Sequence, residues 1–141
     1  MIRRLVHSLF VGTAACVFAQ NSVSVKDCSP SDALFQVDKL SFEPSVPVPG
    51  QDGSLISTYT VAEPVATGRT HYMCSLNGLP VYDEWLDLCS QTDCPITAGQ
   101  HTDTSKSTVP STQGKIDCLI SWYDSNAVPL MCIEMIFKLS G

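Results

Sequence analysis

The residues of this chain best able to do chemistry are its cysteines. Seven are encoded. Cys16 lies in an N-terminal apolar run, and Cys28, Cys74, Cys89, Cys94, Cys118 and Cys132 lie beyond it. The same stretch holds two histidines, His71 and His101, and an acidic cluster of Asp83, Glu84 and Asp87 around Trp85. Zinc would draw on Cys89, Cys94, His71 and His101, but Cys-x4-Cys lacks a second matching half and exported thiols oxidise. Paired carboxylates hydrolyse glycosidic bonds when held at a set separation, whereas three acids about one tryptophan read as a solvated acidic turn or edge. Each histidine lies in a polar or alternating segment and reads as a surface or strand residue. Gly-x-Ser-x-Gly, a phosphate-binding Gly-rich loop and His-Glu-x-x-His are all absent. The expectation is a protein that is not an enzyme and uses no metal and no cofactor.

The compartment follows from the N-terminus. Arg3 and Arg4 precede an apolar run from Leu5 to Ala19, and the chain turns polar at Gln20-Asn21-Ser22. A basic head, a short apolar stretch and a small-residue exit after Val17-x-Ala19 predict a signal peptide over 1–19. A membrane span needs about 20 apolar residues, more than this run supplies, and it contains His7. Residues 20–27 read as a loose leader, and 28–141 as one domain of a length that buries a real core. The formal charge of −6 falls to −8 once Arg3 and Arg4 are lost. No basic cluster remains, which argues against nucleic acid as a partner and against electrostatic docking on anionic membranes. No Asn-x-Ser/Thr sequon is present.

With export expected, six remaining cysteines read as a disulfide framework, although the count alone does not choose among pairings. Cys89 and Cys94 are close enough to clip a local loop, and Cys28 with Cys132 would tie the ends of the domain. In the loop-entropy model the long clip contributes about 5 kcal/mol and the short one about 2. Cys74 and Cys118 would then remain for each other, each on the apolar face of its segment.

The elements that would position these residues are strands. Apolar residues recur with period two at Tyr72, Cys74 and Leu76, and again at Ile116, Cys118, Ile120 and Trp122. Ile133, Met135, Phe137 and Leu139 alternate with Cys132, Glu134, Ile136 and Lys138, and residues 55–61 are β-rich. Turn signals separate the runs: Pro44 to Gly53, Pro64 with Gly68, Asn77-Gly78, Pro95 with Gly99, Pro110 with Gly114, and Asp124-Ser125-Asn126. No helix of three turns is expected. Short strands at near-regular spacing predict an all-β sandwich or barrel.

The segment Asp87-Leu-Cys-Ser-Gln-Thr-Asp-Cys-Pro-Ile-Thr-Ala-Gly99 resembles the ML lipid-recognition domain family. Cys89, Cys94, Pro95, Ile96 and Gly99 carry its hallmark. The closing stretch agrees through Gly114-Lys115-Ile116, Trp122, Asp124 and Leu130-Met131-Cys132-Ile133-Glu134. Cys28 and Pro47-x-Pro49-Gly50 are similar to the transfer-protein branch. The resemblance covers nearly all of 28–139. It implies an immunoglobulin-like two-sheet β-sandwich that parts to hold a lipid, with disulfides Cys28–Cys132 and Cys89–Cys94. A second short clip near the N-terminus is missing, Cys74 and Cys118 are extra, and Thr102 stands where some sterol-binding members carry an aromatic.

On this reading the inward apolar candidates for a pocket are Phe42, Val61, Tyr72, Leu76, Trp85, Ile96, Ile120, Trp122, Met135 and Phe137. The expected function is a monomeric carrier in the secreted fluid or the endo-lysosomal or vacuolar lumen. It would shield a sterol, fatty acid or phospholipid tail from water without stable membrane insertion. The alternative is a secreted interaction module with a fully packed core. If Cys74–Cys118 crossed the interior, it would limit how far the sheets part.

Overall fold

The structure, a computed structural model, describes Gly12 and residues 20–140. The remainder of the expected signal peptide lies outside the described residues. Eight strands follow in order: β1 (Ser22–Asp27), β2 (Phe35–Glu43), β3 (Asp52–Val61), β4 (Gly68–Leu76), β5 (Leu79–Asp87), β6 (Gly99–Thr108), β7 (Gly114–Asp124) and β8 (Pro129–Leu139). A single 3-10 turn at Leu88–Ser90 is the one helical element among the described residues. A five-stranded sheet runs β1-β8-β7-β4-β5, and a three-stranded sheet β2-β3-β6 packs on it. The protein is thus an all-β, two-sheet sandwich.

The period-two segments form the inner faces because successive strand side chains point to opposite sides. On β3, Leu55, Tyr59 and Val61 are buried. Ile116, Ile120 and Trp122 face them from β7, and Ile133, Phe137 and Leu139 from β8. At one flank, β1 and β8 lie against β2, and Phe42 meets Phe137 edge to face with ring centroids 5.3 Å apart. Gly53 makes this contact possible, since a Cβ there would come within 2.3 Å of the Phe42 ring.

Two expectations are corrected. Residues 20–27 are no loose leader, because Ser22–Asp27 pairs antiparallel with β8 from Ser22↔Lys138 to Asp27↔Ile133. The acidic cluster is an edge but no turn, because Asp83, Glu84, Trp85 and Asp87 sit on β5, paired with β4. The turn joining these two strands is at Asn77-Gly78, both with positive φ (49° and 84°), as a two-residue type I′ hairpin demands.

The disulfides are Cys28–Cys132, Cys74–Cys118 and Cys89–Cys94. Cys74 and Cys118 are directly paired residues of neighbouring strands β4 and β7. Cys28 follows β1 and bonds through its backbone N–H to the Cys132 carbonyl on β8 (3.0 Å). Both bridges therefore lie within the five-stranded sheet, and the third closes the loop after β5. The condition under which Cys74–Cys118 would limit the parting of the sheets, a crossing of the interior, is not met: in contrast to the inter-sheet disulfide of antibody domains, none of the three ties one sheet to the other.

Candidate functional site

The sandwich closes on one flank and opens on the other. β6 edges the small sheet and β5 edges the large one, and the extensive contacts of both are with their own sheets. A cavity of about 280 Å³ occupies the gap on this side. Its apolar wall is Ile120 and Trp122 from β7, Ile133 from β8 and Leu55 from β3. Tyr72 of β4 adds a half-buried aromatic, while Ser90 and Gln91, in and just after the 3-10 turn, form part of the rim. The opposite wall is polar, with Ser57 from β3 and Asp103, Thr104, Ser105 and Lys106 from β6.

The polarity has a simple origin. Residues of β3 that face inward pair across to Ser107, Ser105, Asp103, His101 and Gly99 of β6. The inner row of this edge strand thus carries no aliphatic side chain, and no apolar stripe can close it against the larger sheet. The polar groups are organised instead. Tyr59 and Thr92 donate their hydroxyls to one oxygen of Asp103, at 2.8 and 3.0 Å. Burial, then the hydrogen bond and charge of Asp103, push the Tyr59 phenol far above its ordinary range. Tyr72 donates to the Gln91 side-chain oxygen at 2.9 Å, and burial raises its phenol too. His101 stacks on Tyr59 with centroids 5.6 Å apart and donates to the Thr97 carbonyl.

Of the ten predicted pocket residues, Tyr72, Ile120 and Trp122 line this cavity. Phe42 and Phe137 pack together on the closed flank. Val61 is buried at the end of β3, and Ile96 is buried in an isolated bridge to Val65. Leu76 and Met135 are partly buried against the core. Trp85 is a correction. It is 45% exposed and lies on the outer face of β5, stacked on His71 at 4.1 Å beneath the Arg69 guanidinium. β5 is the outermost strand, so even an apolar residue there has no facing sheet to enter. His71 also bonds Asp83 at 2.7 Å. It stands on a different strand and face from His101, and Cys89 and Cys94 are joined to each other. Among the described residues, no cluster of three or more histidine, cysteine or acidic side chains is arranged to hold a metal ion.

The sequence reading missed Ser57, Asp103 and Ile133 as cavity residues. Ser57 had a signal, since it interrupts the inward row Leu55, Tyr59, Val61. Asp103 had none, because it belongs to a strand with no apolar alternation.

The site is thus a cavity with one apolar and one polar wall on the flank of a two-sheet sandwich whose layers no disulfide joins among the described residues. Comparison with known proteins agrees. A family model for the ML domain matches residues 22–139, and the chain belongs to the ML-domain family, whose members bind and transfer lipids. "Putative phosphatidylglycerol/phosphatidylinositol transfer protein 1" of Dictyostelium discoideum is 26% identical over 81% of this chain and 79% of its own. Two solved structures share the fold. A Niemann-Pick type C2 protein from Japanese carpenter ant aligns with a TM-score of 0.60 at 12% identity, over 80% of this chain and 96% of its own. Chicken MD-1 complexed with lipid IVa aligns at 0.63 and 13%, over 87% and 93%.

Proposed function

We propose that this protein is a non-enzymatic lipid carrier that takes an acyl chain or comparable apolar body into the gap between its sheets. The observation that carries the reading is the cavity on the β5–β6 flank, with Trp122, Ile120, Ile133 and Leu55 on its apolar wall. Its volume is just below the 300–1,000 Å³ or so typical of small-molecule pockets, so a whole lipid requires the sheets to part further. No disulfide opposes that movement. Each methylene buried contributes about 0.8 kcal/mol, so a chain of about ten outweighs the cost of fixing the ligand. The interaction-module alternative calls for a fully packed core, and the cavity speaks against it.

The predicted signal peptide and the disulfide set support a carrier working outside the cytosol, in the secreted fluid or an endo-lysosomal or vacuolar lumen. The test is native mass spectrometry and lipid extraction of protein from its own source, with titration of sterol, fatty-acid and phospholipid probes. A bound lipid, or saturable one-to-one binding, is expected. An empty protein that binds none of the probes refutes the reading.

A further inference from the structure

Resting on that reading, we infer that the cavity selects lipids whose polar end is an uncharged hydroxyl, recognised by Ser57 and Asp103, over lipids ending in a carboxylate. Ser57 and Asp103 are directly opposite one another on β3 and β6, and both line the cavity. Ser57 is only 6% exposed, yet its hydroxyl has no hydrogen-bond partner among the described residues. That hydroxyl is not one of the fully buried polar atoms left without a partner, which are Thr70 Oγ1 and Asp117 Oδ1 among the described residues; it opens onto the cavity, in an inward row otherwise filled by Leu55, Tyr59 and Val61. Ser57 thus presents a hydroxyl, with no partner of its own, to the polar end of a guest in the cavity.

Asp103 determines which guest. Both protein donors, Tyr59 and Thr92, bond the same oxygen, Oδ2. Oδ1 has no protein donor among the described residues and is left to accept from a ligand. A hydroxyl can accept from Ser57 and donate to Asp103 at once. A carboxylate brought to the same place has no proton to offer and meets a like charge in a partly dry site. Lys106, the one cation on the cavity lining, does not reverse this: it pairs with Ser54 on the alternate side of β3 from Ser57 and is exposed to solvent.

Three ligands with one acyl chain separate the possibilities: a monoacylglycerol, the fatty-acid methyl ester, and the free fatty acid as its carboxylate at pH 8. In a Trp85→Phe background Trp122, on the cavity wall, is the sole tryptophan and its fluorescence reads binding. The monoacylglycerol should bind about tenfold more tightly than the ester, as one bond from Ser57 and one to the Asp103 carboxylate allow, and more tightly than the fatty-acid carboxylate. Ser57→Ala should reduce the preference over the ester severalfold. Asp103→Asn, which keeps an acceptor for Tyr59, should narrow the gap to the fatty-acid carboxylate, with thermal melts checking that each variant folds. Equal binding of monoacylglycerol and ester, preference for the fatty-acid carboxylate, or ratios unmoved in both variants would overturn the inference while leaving the carrier intact. Binding of none of the three, by fluorescence or native mass spectrometry, would sink both.

Discussion

The two flanks of this sandwich are built from the same strand geometry and do opposite things. On the β1–β2–β8 side, apolar rows face each other and interlock through Phe42 and Phe137, with Val23, Val25 and Leu40 packed around them. On the β4–β5–β6 side, the apolar floor of the large sheet faces the polar inner row of β6. The sheets seal where both faces are apolar, because only there does closure remove apolar surface from water on both sides. Where one face is polar, closure would strip hydration from Asp103 and its neighbours, so a gap remains. One flank is thus a packed seam and the other carries the cavity.

The largest effect expected from breaking this contrast lies on the seam. Replacing Cys28 and Cys132 together by alanine, which releases the long loop constraint on the unfolded chain, should cost about 5 kcal/mol in denaturant melts. Removing Cys89 and Cys94 beside the cavity should cost about 2, from the difference in loop length. Equal costs would mean that the cavity flank is as strongly braced as the seam. Next, Ser57→Leu fills the cavity from its polar wall. It should weaken lipid binding at least tenfold in the Trp122 titration while changing stability by less than about 1.5 kcal/mol, since it fills space without displacing packed neighbours. Unchanged binding would place the guest elsewhere.

The smallest effect belongs to neither flank. Asp117, on β7, has its carboxyl raised above the usual range by burial and then by Glu134, and its Oδ1 is buried without a partner. A raised carboxyl favours the folded state in its protonated form. That contribution is complete below the unfolded Asp value near 3.8 and is lost as pH rises through the folded value. Asp117→Asn should therefore raise Tm at pH 7 by about 1–2 °C, a gain that fades toward pH 4, and should leave lipid binding unchanged. A binding change in this variant would show that outer-face charges reach the gap.

Much of this fold was legible in the residues, and the illegible parts share a cause. Strands β3, β4, β7 and β8 show period two because one face of each is buried. The Asn77-Gly78 and Asp124 turns were legible because their backbone demands special residues; Asp124 accepts from the N–H groups of Asn126 and Val128 at 2.8 and 2.9 Å. β1 is too short and too exposed to stand out. β5 is open on nearly every residue, so burial imposes no alternation on it, and β6 faces the gap with polar side chains. The candidate site was half legible for the same reason. Tyr72, Ile120 and Trp122 carry the inward apolar signal, whereas Ser57 and Asp103 look like ordinary surface residues until their strands are paired. Trp85 misled because a large aromatic beside alternating segments suggests a core.

By itself, the sequence determined the chemistry available and the class of fold: cysteines suited to bridges, no catalytic motif, strand periodicity, and the Cys-Pro segment of the ML family. Those are local properties, set by residue type and spacing. Which strands share a sheet, whether a bridge lies within a sheet or across the gap, and which flank stays open were decided only in three dimensions. Each depends on partners far apart in the chain. The six cysteines supply three bridges either way, but only the pairing of β1 with β8 and of β4 with β7 puts two of them inside one sheet, with the third confined to the loop after β5, so that none joins the two layers.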